Sequence, residues 1–174
     1  MAETPQKRRF ALDTNVSLDL AAGRDAALTL VEVCQERKYG LCLSPTVIQE
    51  LAHLAADFEQ PANSLAVKAL TGMRSWGVIP FELNPVGNGI TEAFARKLID
   101  SGLLPEGEIH DGQIVAEAAL GGIPVLITSD THLLAIEPEV MTNALSESGL
   151  SNVLVTSPRK ILRTLSPKEG KGRR

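Results

Sequence analysis

The sequence predicts an α/β domain: a three-layer α/β/α sandwich on a mostly parallel central sheet of about five strands. Three observations carry this. Short strand-like runs alternate with longer segments of helical spacing along the chain. The apolar runs lack polar alternation, as in a sheet covered by helices on both faces. Helical segments separate the strands, so the crossovers suit parallel, right-handed connections.

Phe10–Asp13 is the first strand candidate. Leu18 to Arg37 follows with helical spacing and a break at Gly23. Leu41–Leu43 is the second strand; Ser44 as N-cap and Pro45 at the first helical position then open a helix that reaches about Asp57. Pro61 to Trp76 forms another helix before the third strand, Val78–Phe81. Asn84-Pro85-Val86-Gly87-Asn88-Gly89 is a loop by composition. Helices over Thr91–Ser101 and Gly107–Leu120 come next, the second ended by Gly121-Gly122, and Pro124 precedes the fourth strand, Val125–Thr128. Thr131 to Ile136 and Glu139 to Glu147 read as helices, Val153–Val155 as the fifth strand, and Ser157-Pro158 as the start of a last helix. No internal repeat or long linker interrupts this order. Residues 9–165 therefore read as one domain, between a flexible N-terminus (1–8) and a basic, disordered tail (166–174).

At 174 residues the chain can bury a full-sized core, and 44% hydrophobic against 22% charged residues excludes disorder. No apolar stretch approaches a membrane span, and no signal-peptide pattern follows Met1 to Arg9. Cys34 and Cys42 are too few for a disulfide framework, so reduced thiols and a cytoplasmic location are expected. Net charge is −4 but unevenly spread: seven basic residues face one acid from Pro158 onward, while ten basic and twenty acidic residues precede it. An acidic body with a basic end suits a metal site beside a polyanion-binding edge; the plainer reading of the tail is a solvated terminus.

Four acids fall where a carboxylate cluster needs them. Asp13 and Asp130 end strand-like runs, and Glu50 and Asp111 lie on helices; such positions converge at the carboxyl edge of a parallel sheet. Each also has a structural explanation. Asp13, Thr14 or Asn15 could cap the following helix, and Ser129 or Asp130 could cap Thr131–Ile136. Glu50, three after Val47 and four before Leu54, sits at the edge of an apolar stripe, where surface charges are also found. Asp111 shares a face with Val115 and Ala118, which is costly for a carboxylate without a partner or metal. Glu108, one turn earlier, adds a like charge there, eased in part by the helix dipole. Together the acids call for a hard divalent cation with a preference for oxygen ligands.

Other chemistries are not indicated. His53, His110 and His132 do not make a zinc pattern with the cysteines, and His110 beside Asp111 reads as a supporting or surface group. Gly-rich phosphate loops and a nucleophile elbow are absent. A phosphatase using Asp13 as nucleophile would want a second acid close behind, where Asn15 stands.

The ordered set Leu12-Asp13-Thr14-Asn15, Ser44-Pro45-Thr46-Val47-Ile48-Gln49-Glu50-Leu51, His110-Asp111-Gly112-Gln113-Ile114-Val115-Ala116-Glu117-Ala118 and Ile127-Thr128-Ser129-Asp130 resembles the PIN-domain nucleases. It looks most like the toxin ribonucleases of toxin–antitoxin pairs, over roughly Arg9 to Leu165. The resemblance implies a PIN-like fold and a divalent-metal-dependent endoribonuclease. Its catalytic, metal-binding acids would be Asp13, Glu50, Asp111 and Asp130, supported by Asn15, Thr128 and Glu108. It further implies Mg²⁺ or Mn²⁺ as cofactor, RNA as substrate, an antitoxin protein as partner and a homodimer. Leu18, Leu20, Leu28 and Leu30 add apolar surface in keeping with the last. Aromatic residues are only 3% of the chain, so RNA would be held by its backbone, through Arg159, Lys160 and Arg163, more than by base stacking. The rival within this fold is a catalytically inactive scaffold that binds RNA or protein.

Overall fold

A computed structural model describes residues 7–166. Five strands form one sheet: β1 (Arg9–Leu12), β2 (Gly40–Leu43), β3 (Val78–Pro80), β4 (Val125–Ile127) and β5 (Leu154–Thr156). All pairings are parallel and the order is β3-β2-β1-β4-β5, which puts β1 at the centre. Helices cover both faces: α1 (Thr14–Ala21), α2 (Asp25–Glu36), α3 (Pro45–Ala56), α4 (Asn63–Gly72), α5 (Pro85–Asp100), α6 (Ile109–Leu120), α7 (Thr131–Leu134), α8 (Pro138–Glu147) and α9 (Pro158–Leu165). The three-layer sandwich and its parallel sheet are as the sequence predicts. The core lies between the central strands and the inward faces of these helices; Leu12, Leu41, Leu43, Leu126 and Ile127 are all fully buried. Among the described residues no helix is long and apolar enough to cross a membrane.

Three expectations change. The Asn84–Gly89 loop belongs mostly to α5. Asn84 Oδ1 accepts the Gly87 N–H at 2.8 Å and Pro85 takes the first helical position, so a cap and a rigid φ start the helix despite two glycines. The helix after β1 begins at Thr14 rather than Leu18, because Asp13 itself caps it. Gly23, at φ 72°, divides α1 from α2. Finally, the leucines offered as dimer surface are spent in the fold: Leu20 and Leu30 are buried, and Leu18 and Leu28 pack against the core. The expected homodimer loses that motive. The basic tail lies, from residue 167 onward, outside the described residues, as do the first six residues of the expected N-terminal arm.

One close approach matters for the site. A Cβ built on Gly112 would stand 2.7 Å from the Ala95 Cα, so α6 rests against α5 with no room for a side chain. This contact fixes the first turn of α6, which carries Asp111.

Candidate functional site

Strand order reverses between β1 and β4, opening a crevice at their carboxyl ends. Asp13 is the first residue beyond β1, and its N–H donates to the Ile127 carbonyl of β4 at 2.9 Å. Thr128 is the first beyond β4. Its hydroxyl, 0% exposed, donates to Asp13 Oδ2 at 2.6 Å and accepts the Asp130 N–H at 2.9 Å. One buried side chain thus ties the two acidic strand ends together.

Asp13 and Asp130 are caps and cluster members at once. Asp13 Oδ1 accepts the Thr14 N–H at 2.6 Å, and Asp130 Oδ1 accepts the Leu133 N–H at 2.9 Å. A carboxylate offers about four lone-pair directions, so a cap bond leaves others free. Asp13 also feels the charges of Glu50 and Asp130, and Asp111 feels those of Asp130, Asp13 and Glu108. The structure therefore brings the four predicted acids and Glu108 into one electrostatic neighbourhood.

Glu50 is half-buried on α3. Its Oε2 accepts a short hydrogen bond from the Thr14 hydroxyl, and its Oε1 stands 3.0 Å from His110 Nδ1. Asn15 Oδ1 accepts the Ser129 N–H at 3.1 Å, so it props the turn between Thr128 and Asp130 rather than holding Asp13 directly. Glu108 occupies the N-cap position of α6 without a side-chain capping bond. Asp111 differs from the rest: its Oδ2 is buried and has no hydrogen-bond partner among the described residues.

Burial is the largest influence on both central acids. It lifts Asp13 from 3.8 to about 6, against the lowering effect of the Thr128 and Thr14 donors, with Glu50 and Asp130 adding to the rise. For Asp111, burial and then the charges of Asp130, Asp13 and Glu108 push the carboxyl well above the ordinary carboxylate range. Among the described residues the imidazoles of His110 and His132 come within 4.0 Å of these carboxylates; no lysine or arginine does.

The donor set fits a divalent cation. It consists of carboxylates with a buried oxygen at Asp111 that is unbonded among the described residues, and hard cations take such oxygens. The tightest grouping includes a residue that the sequence did not suggest: Glu108, Asp111 and His132 each present one donor atom within 4.8 Å of the others. His132 reaches the site because α7 leaves the β4 edge beside the first turn of α6, a juxtaposition with no mark in the local sequence. Glu117 was also passed over. This carboxylate, 3% exposed, accepts the Thr46 hydroxyl at 2.6 Å and the Thr46 N–H at 3.2 Å. It caps α3 from a neighbouring helix, and burial raises its pKa above the usual range. A lone acid inside the apolar run Ile114–Leu120 was the available signal.

Of the basic residues, Arg159 lines a cleft of about 430 Å³ together with Arg24, Ser129 and Ser157, though Asp19 and Asp25 share it. The cleft meets the acidic edge through Ser129. Lys160 and Arg163 are exposed on α9 and do not line it.

No protein-family model matches the chain, and no curated protein sequence matches it. Solved structures share its fold. VapBC2 from Rickettsia felis, bound to a DNA fragment from its promoter, matches with a TM-score of 0.57 at 12% identity, covering 86% of this chain and 98% of that one. DNA-bound VapBC from Salmonella typhimurium matches at 0.58 and 15% identity, over 87% and 98% of the two chains. VapBC-1 from nontypeable Haemophilus influenzae gives 0.52 at 18% identity, over 87% and 98%. At such identities the likeness is one of fold: the PIN-like α/β/α sandwich that the sequence resemblance implies.

Proposed function

We propose that this chain is a divalent-metal-dependent endoribonuclease, acting as the toxin of a toxin–antitoxin pair. The observation that carries this is the meeting of Asp13, Glu50, Asp111 and Asp130 at the switch point of the sheet, among the described residues without lysine or arginine partners and with Asp111 Oδ2 buried and unbonded. A cluster of this kind costs stability by itself and is offset by a cation.

Asp13, Asp111, Asp130 and Glu50 would hold Mg²⁺ or Mn²⁺. When bound, the cation supplies positive charge against a phosphodiester and acidity to a water nucleophile. The protein's own groups do the rest. Thr128 and the Thr14 N–H fix the Asp13 carboxylate in one orientation. Thr14 and His110 hold the Glu50 carboxylate in place on α3, where it would bind the cation directly or through a water. Asn15 keeps the Thr128–Asp130 turn in register. Arg159, in the adjoining cleft, would contact the substrate backbone without reading its bases.

The shared fold with VapBC structures supports the toxin assignment and an antitoxin partner. An inactive scaffold of the same fold is the competing reading. Cleavage of mixed RNA by the purified protein in Mn²⁺, abolished by EDTA, is the expected result; RNA bound but left intact in Mn²⁺ would establish the scaffold instead.

A further inference from the structure

We propose that His132 is a cation ligand, and that with Glu108 and Asp111 it forms a mixed nitrogen–oxygen subsite that prefers a first-row transition-metal ion to Mg²⁺. The inference rests on the reading that the acidic edge holds a divalent cation; it does not depend on which polymer is cut.

Geometry carries the argument. Donor atoms of Glu108, Asp111 and His132 lie within 4.8 Å of one another. Donors around one octahedral cation at bonding distance are about 3.0 to 4.2 Å apart, so small side-chain rotations close the three onto one ion. The imidazole Nδ1 stands 4.0 Å from Glu108 Oε1 and 3.9 Å from Asp130 Oδ1. Those distances exceed a hydrogen bond and leave room for a shared ion between the groups. Asp111, part-buried beside Glu108, adds a second sign: among the described residues its Oδ2 has no hydrogen-bond partner. The fold holds His132 in place through its neighbour: Leu133 is buried and anchors α7, while His132 stays half-exposed beside the acids.

The donor chemistry sets the preference. Mg²⁺ favours oxygen ligands and retained waters, whereas imidazole suits transition ions, with affinity rising from Mn²⁺ to Co²⁺. A site of carboxylates alone would separate these ions less than one with a ring nitrogen.

The test is titration of the full chain with Mg²⁺, Mn²⁺ and Co²⁺ separately by calorimetry, for the wild type, His132→Ala and His132→Gln. Pulsed EPR of the Mn²⁺-loaded proteins is recorded alongside. The expected result is tighter binding in the order Mg²⁺, Mn²⁺, Co²⁺ by the wild type, with nitrogen coupling to Mn²⁺. Both substitutions should lower Co²⁺ affinity by about 10- to 100-fold, the range for losing a well-held group around a metal. They should also remove the nitrogen coupling and leave Mg²⁺ affinity within about twofold. Equal Mn²⁺ and Co²⁺ affinities in wild type and variants, without nitrogen coupling, would overturn the inference while the acidic metal site stands. Equal weakening of all three ions without nitrogen coupling would also overturn it, making His132 a charge partner only. Absence of binding by any ion to the wild type would remove the metal-site reading itself, and this inference with it.

Discussion

In the metal-free protein, Asp13→Asn should raise stability at neutral pH, and the gain should disappear on acidification. Burial, with Glu50 and Asp130, holds the Asp13 carboxyl at about 6 against an ordinary 3.8, so the folded chain keeps its proton longer than the unfolded one. Below about pH 4 both states are protonated and nothing is lost. As pH rises from about 4 to 6 the unfolded chain ionises first and the native state falls behind; above about 6 the full penalty is present. At about 1.4 kcal/mol per pH unit this reaches about 3 kcal/mol. Asparagine removes the charge and keeps an oxygen for the Thr14 N–H, but its amide must face Thr128, whose hydroxyl now accepts rather than donates. That exchange costs about 1 kcal/mol. The net gain near pH 7.5 is then about 2 kcal/mol, or about 4–8 °C in melting temperature for a domain of this size. At pH 4.5 only about 1 kcal/mol of penalty remains by the same linkage, and the two melts should coincide. Thermal melts of both proteins in EDTA at the two pH values decide the matter. An Asn variant that melts lower by the same margin at both would show that Asp13 is a helix cap and nothing more.

Further outcomes follow from the packing around the site. Glu117→Ala leaves the buried Thr46 N–H and hydroxyl without their acceptor at the start of α3 and should cost about 2–4 kcal/mol in urea unfolding, with Glu117→Gln recovering most of it. Gly112→Ala forces a methyl onto the Ala95 backbone; a loss of at least about 1–3 kcal/mol is expected, and a neutral result would mean that α5 and α6 are less closely packed than described. Arg159→Ala should weaken RNA binding about equally across sequences and lower the salt dependence of binding by roughly one phosphate contact. An unchanged slope in filter binding would detach the α9 cleft from the substrate.

How much of this was legible beforehand depended on the range of the interactions involved. The strands were readable because each is a short apolar run between turn residues, and parallel pairing left no polar alternation to confuse them. At Asn84–Gly89 composition and position point opposite ways: two glycines and a proline suggest a loop, yet Asn-Pro at a helix start is a cap followed by a favoured first residue. Asp13 and Asp130 posed a choice between cap and cluster that the fold does not force, since one carboxylate serves both. The leucines of α1 and α2 look like surplus apolar surface because a break at Gly23 does not say how the two helices are turned; the fold turns both leucine-bearing faces inward. His132 and the bridging of Glu50 by Thr14 and His110 depend on side chains from different elements meeting, and no spacing along the chain encodes them.

Whether the acidic edge is a metal-dependent site for cutting RNA is decided by cleavage of a labelled RNA pool by wild type and Asp13→Asn, each in Mn²⁺ and in EDTA, with folding of the variant confirmed by its melt. Cleavage by the wild type in Mn²⁺ alone is expected, with a loss of at least about 100-fold in Asp13→Asn. Near-wild-type cleavage by the folded variant, or cleavage that survives EDTA, would contradict it.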